Sequence, residues 1–177
     1  LFPDADLYTL IHQKGELSDT IEAMSIHTSF VQHLPFGLKK YRHYLPLFPT
    51  AIEQFDFSAY DLIVSSSHCV AKGVKHDDSA YHISYVHAPM RYVWDQFNTY
   101  FRHSRTSLPV RIVAELIRPY LQRWDRNTAK RVDTFLCNSD NIRKKILEYY
   151  GRESQVIYPP VDLSRFKPGD TKAGYYL

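Results

Sequence analysis

Apolar positions along this chain fall in short runs separated by polar or proline-containing turns. Only one stretch sustains a helical period over several turns. The runs Asp6–His12, Tyr60–Val64, Tyr81–Val86, Asp133–Cys137 and Gln155–Tyr158 are rich in β-branched and aromatic residues, and they read as strands. Ile21–Val31 is ambiguous, with Thr28–Val31 as a candidate edge strand. Between the runs, Pro35–Pro49 carries Leu38, Tyr41 and Leu45 at helical spacing, with Lys39, Lys40, Arg42 and His43 on the other faces. From Pro109 onward, Val110, Val113, Ile117, Leu121 and Trp124 form an apolar stripe, and Arg111, Glu115, Arg118, Gln122 and Arg126 form a wet face. Pro119 predicts a kink or a split there. Asn138 or Ser139 caps a last helix with Ile142, Ile146 and Tyr149 inside, and Gly151 stops it. Strands alternating with helices predict an α/β fold, a mostly parallel sheet covered by helices on both faces.

Chemistry concentrates where the strands end. Tyr81–Asp95 begins as a strand and breaks at His87-Ala88-Pro89, because proline cannot donate to a sheet ladder. His87, Arg91, Tyr92 and Trp94 therefore sit at or just beyond a strand's carboxyl end, the ligand end of open α/β sheets. The strand at Tyr60–Val64 runs into Ser65, Ser66 and Ser67, with Lys72 close behind. That segment offers either an anion-binding turn or a serine turn that caps a helix. Asn138 and Ser139 end a third strand. Hydroxyls, an imidazole and basic groups thus gather at three predicted strand ends.

Composition narrows the class. The 177 residues suit one domain with a real core, and the formal charge of +3 lacks the concentrated patch a nucleic-acid binder shows. Cys69 and Cys137, the two cysteines, lie in apolar surroundings and make no disulfide framework, which favours a reducing, cytoplasmic setting. No run approaches the roughly 20 apolar residues of a membrane span. The basic, aromatic-flanked segment Phe36–Phe48 reads either as a membrane-surface element or as an ordinary amphipathic helix with a solvated face. The arginine-rich stretch Arg102–Arg131 carries the same two readings, with anionic lipid as the sharper one. There is no GxGxxG, Walker or GxSxG signature, and the histidines show no metal-ligand spacing, so no cofactor or metal site is expected. His82 and His87 should point apart. Both ends look cut: Leu1–Asp6 reads as a turn into a strand and Ala173–Leu177 as a strand starting, which suggests a piece of a longer protein.

The order His87-Ala88-Pro89-Met90-Arg91-Tyr92-Val93-Trp94-Asp95, the unit Phe135–Arg143, and Val156-Ile157-Tyr158-Pro159-Pro160-Val161-Asp162 with Phe166 resemble the amino-terminal half of retaining glycosyltransferases of family four. These enzymes have two facing Rossmann-like domains, the GT-B fold. The nearest likeness is to bacterial and archaeal mannosyltransferases that build lipid-linked O-antigen or capsule sugars. The chain departs from the family pattern in starting after the first strand's glycine-rich loop and in lacking the second domain. The resemblance implies an acceptor-side Rossmann-like domain over residues 1–158 and a linker with the start of a second domain over 159–177. It implies transfer of a hexose from a nucleotide sugar to a lipid-linked saccharide, in the cytoplasm or on the membrane's inner face, by a parent protein of which this piece alone is inactive.

Within that frame His87 would bond a sugar hydroxyl or move a proton, Arg91 would meet acceptor phosphate, and Tyr92 and Trp94 would stack on sugar. Ser66, Ser67 and Lys72 would line the same wall, and Ser139 and Arg143 would reach toward donor. Each has a plainer reading: a structural histidine, packed aromatics, a helix cap and a solvated arginine. Two other functions compete: a non-catalytic module binding acceptor lipid or membrane, and a two-domain nucleotide-sugar epimerase. Nucleic acid ranks last as a partner.

Overall fold

A computed structural model of the chain describes residue 2, residues 4–101 and residues 107–165. The linker expected at Pro168–Asp170, Phe166, the strand start at Ala173–Leu177 and the arginines at 102 and 105 lie outside the described residues.

Two parallel sheets form the frame. The first pairs β1 (Leu7–Thr9) with β2 (Ile26–Thr28), joined by a connection containing the single turn α1 (Asp19–Glu22). The candidate edge strand at Thr28–Val31 therefore lies earlier than expected: Ser29 leaves the ladder and its hydroxyl accepts from Val31 N, starting a helical turn. The second sheet runs β3 (Leu62–Ser67), β4 (Tyr81–Val86), β5 (Thr134–Cys137) and β6 (Gln155–Val156), all parallel. The basic segment does not form one helix. It breaks into α2 (Gly37–Lys40), a tight turn over Tyr41–Leu47 and α3 (Phe48–Glu53). Pro46 and Pro49 cannot donate backbone hydrogen bonds, so a continuous helix is interrupted there. After β4 come α4 (Phe97–Phe101), the long α5 (Leu108–Thr128) and α6 (Asp140–Tyr150). Pro119 does not split α5. Ser139 caps α6 and Gly151, at φ 64°, closes it in the left-handed conformation glycine adopts without a Cβ clash.

The chain is thus α/β with parallel sheets flanked by helices, consistent with a Rossmann-like half of a GT-B enzyme. The flanking is uneven. Registered neighbours share a face, so Ile63–His82, Ser65–Ser84–Phe135 and Val86–Cys137 form one surface, and all are buried. Leu121 from α5 and Ile142, Ile146 and Tyr150 from α6 belong to the cores on that side. The opposite surface carries Leu62, Val64 and Tyr81, exposed, beside half-buried Ile83, Tyr85 and Leu136.

The stripe read along α5 is inward only in its second half. Ile117, Leu121 and Trp124 pack on the core, whereas Val110, Val113 and the neighbouring Leu116 are exposed, Leu116 by 75%. The first half of the helix runs where no described element covers it.

Candidate active site

Three strand ends converge because β3, β4 and β5 are adjacent and parallel. Ser66, His87 and Asn138 leave the same edge of the sheet. His87 is exposed, and its surroundings fix it from several sides. Its backbone N–H donates to Ser67 O at 3.1 Å, and its carbonyl accepts from Asn138 Nδ2 at 3.1 Å. Its Nε2 lies 3.0 Å from Ser66 Oγ, and its ring meets Tyr85 edge to face at 5.0 Å. An imidazole held at both backbone ends and by one ring nitrogen keeps its other nitrogen free to be aimed at a ligand. His82, five residues earlier, is fully buried, with Nε2 2.8 Å from Ser65 Oγ and Nδ1 3.0 Å from Arg131 O. Burial holds its pKa down at about 4, so it stays neutral in the core. The two histidines do not converge.

Other expected site residues divide. Arg91 is exposed in the loop after β4, and Ser67 caps the next turn by accepting from Cys69 N at 2.8 Å. Tyr92 is mostly buried: its hydroxyl meets Cys69 and its ring touches Tyr100 edge to face, so its pKa is pushed up by desolvation first. Trp94 stacks on Tyr149 at 4.5 Å and donates Nε1–H to Asp125 Oδ2 at 2.7 Å. Both aromatics are used in packing. Ser139 caps α6 and donates to Asn138 Oδ1, while Arg143 pairs with Asp140 on the helix surface at 2.9 Å.

Lys72 is a correction. Expected at the substrate wall, it is buried, its ammonium 2.8 Å from Asp125 Oδ1 and 3.0 Å from Thr128 Oγ1. The cause is the turn Ala71–Gly73, which packs directly under Trp124. A Cβ on Gly73 would stand 2.4 Å from the Trp124 ring, so only glycine admits this approach. Desolvation lowers the Lys72 pKa, and the nearby Asp125 carboxylate opposes that shift.

Asp125 is the residue the sequence reading missed. Fully buried, it joins Lys72, Trp94 and Tyr150, whose hydroxyl donates to Oδ2 at 2.8 Å. It ties the loop after β4 to α5, α6 and the turn after β3. The available signal was spacing: Leu121, Asp125 and Thr128 fall at i, i+4 and i+7, which puts the acid on the inward face.

The strand tips border an open surface. The void beside them, lined by Ser67, Lys72, Ser84 and Tyr150 among others, measures about 10 Å³, room for one water and no sugar. A larger concavity, about 360 Å³ along Leu108–Leu116, lies on the outer half of α5 and holds none of the strand-tip residues. An exposed row of polar tips without an enclosing wall is what one face of a two-part cleft presents. Among the described residues no helix is long and apolar enough to cross a membrane.

Comparison with known proteins agrees with this geometry. The family model for Glycosyltransferase Family 4 matches residues 9–165, nearly the whole chain. No curated protein and no solved structure matches it.

Proposed function

Since the chain belongs to glycosyltransferase family 4, we propose that it is the acceptor-side half of an enzyme that moves a hexose, mannose first among candidates, from a nucleotide sugar to a lipid-linked saccharide with retention. Residues 1–158 form that half and 159–177 lead into a second, donor-binding domain. The work is done in the cytoplasm or on the membrane's inner face, without a metal or other cofactor.

In such a transfer positive charge develops on the sugar and negative charge on the leaving diphosphate. Fixed donors that face those positions lower the barrier. His87 contributes the free nitrogen of an imidazole oriented by Ser66, Ser67 and Asn138. It holds a sugar hydroxyl in place or relays its proton. Ser66 acts through His87 as a positioning residue. Ser139 and Arg143 stand at the start of α6, at the same edge, on the side assigned to the donor. The single observation that carries this reading is the exposed imidazole held at three joined strand ends. His87→Ala in the longer enzyme should lower turnover by about 10²-fold or more with the fold intact. Near-normal turnover would remove His87 from the chemistry.

A second reading, a membrane- or acceptor-docking module, is favoured by one observation. Val110, Ile112, Val113 and Leu116 on α5 are exposed, as are Phe36, Leu38 and Leu47 beside Lys39, Lys40 and Arg42. Apolar side chains mixed with cations suit an anionic bilayer surface. Co-sedimentation with anionic vesicles that weakens as salt rises would support docking, and equal recovery with and without vesicles would reject it.

A further inference from the structure

The open face of the four-stranded sheet runs up to the candidate imidazole. Register aligns Ser66 with Tyr85 and Tyr85 with Leu136, and successive residues on a strand alternate between faces. Ser66, Tyr85 and His87 therefore share that face, at the tips of β3 and β4. Two side chains hold the His87 ring there. Ser66 Oγ lies 3.0 Å from its Nε2, and the Tyr85 ring meets it at 5.0 Å with 77° between the planes.

Tyr85 has a second contact. Its hydroxyl donates to Ile157 O at 2.9 Å. Leu136 aligns with Gln155, so Ile157 lies just beyond the end of β6, and the phenol reaches it across β5. Ile157 N donates to Cys137 O at 2.8 Å, which keeps the segment on the sheet. Tyr158, Pro159 and Pro160 follow, and the two prolines have no N–H with which to continue a ladder. Ile157 is thus where the chain leaves the sheet. A tyrosine held at its Cα and at its hydroxyl cannot swing about χ1, so the ring it presents to the imidazole is fixed with it. One side chain therefore touches both His87 and the exit of the chain.

We propose that Tyr85 is a positioning residue for His87, coupling the orientation of the imidazole to the segment that leaves the sheet at Ile157. When that segment shifts, the Ile157 carbonyl moves, the phenol follows its acceptor, and the ring beside His87 turns with it. The coupling deepens the transferase reading and rests on it only for the effect on turnover: movement of a second domain, passed through the connection at Pro159–Pro160, reaches the imidazole through Tyr85.

The probe is the His87 ring, followed in aromatic carbon–proton spectra of this chain, its signals assigned by their loss in His87→Ala. Tyr85→Phe keeps the ring and removes only the bond to Ile157 O. It should move the His87 signals, and Tyr85→Leu, which removes the ring as well, should move them further. Pro159→Gly with Pro160→Gly loosens the exit. That pair should move the His87 signals when Tyr85 is present and leave them in place in the Tyr85→Phe background. In the longer enzyme Tyr85→Phe should lower kcat about threefold and Tyr85→Leu about tenfold, with KM within about twofold. Should Tyr85→Leu lose its fold, Tyr85→Phe, nearly the same in size and shape, decides. A tyrosine that only packs would lower stability in Tyr85→Phe and leave the His87 signals unmoved, and that result overturns the proposal. Equal movement from the glycine pair in both backgrounds overturns it too. So does an unchanged kcat in Tyr85→Phe when His87→Ala inactivates the enzyme. Near-normal turnover of His87→Ala instead fails the transferase reading, and the spectra alone then decide the coupling.

Discussion

The two faces of the four-stranded sheet invert the usual arrangement. The face under α5 and α6 is buried yet studded with polar groups: Ser65 bonded to His82, Ser84, and the Lys72–Asp125 pair below. The other face is largely open yet apolar, with Val64 60% and Tyr81 51% exposed. On the buried face, cost is avoided by satisfaction. Ser65 is partnered by His82, and Asp125 by Lys72, Trp94 and Tyr150, because an unpaired group in a dry interior loses its water without compensation. On the open face, Leu62, Val64 and Tyr81 stand exposed among the described residues, whereas parallel sheets ordinarily require cover on both sides. Stability of this chain therefore depends on the buried face, where apolar packing of Ile63, Val86, Phe135 and Leu121 surrounds those polar contacts, and less on the other.

The largest expected effect tests the buried side. Asp125→Ala leaves the Lys72 ammonium without its counter-ion and frees Trp94 and Tyr150, and should cost about 3–5 kcal/mol in denaturant unfolding. A Lys72→Met, Asp125→Leu double variant should recover most of that loss, since removing both charges removes the desolvation penalty. If the single variant loses under about 1 kcal/mol, the pair is not what holds that face.

Acid should come next. An unfolded histidine titrates near 6.5 and His82 in the folded chain near 4. Between these values the unfolded chain binds the proton first. Stability is therefore full above about pH 6.5 and falls as pH drops toward 4, by roughly 2–3 kcal/mol. Partial burial shifts His68 in the same direction, so a His82→Asn variant should show a shallower slope rather than none. An unchanged slope would mean that His82 is not the titrating group.

The open face should give the smallest change. Val64→Ser is expected to alter stability by no more than about 0.5 kcal/mol, against about 3–5 kcal/mol for Phe135→Ala on the buried side. It should also reduce binding of a hydrophobic dye. A loss comparable to that of Phe135→Ala would show that the face is covered in solution.

Much of the site was legible along the chain. Tyr81–Val86 is a strand over the span its β-branched and aromatic residues indicate, and Pro89 marks its end, so His87 had to stand at the tip. The cap at Ser139 and the stop at Gly151 were equally readable, being local geometry. Lys72 was misread because a basic residue after a serine run looks like a ligand-facing group. Its burial follows from Gly73 fitting against Trp124, a contact across 51 residues that no local pattern carries. The outer half of α5 was misread for the opposite reason. Helical period reports which side of a helix is apolar, but not whether anything lies there.

The order of residues settled the class of fold, the ends of β4 and β5, and the family, because periodicity, proline and caps act over a few neighbours; β3 runs on through Ser65–Ser67, past the end expected at Val64. Only the folded chain decided which charges are sunk and paired and which face of the sheet has cover. Those outcomes depend on contacts between distant segments, where desolvation and Coulomb energy are set by whatever side chain happens to lie opposite.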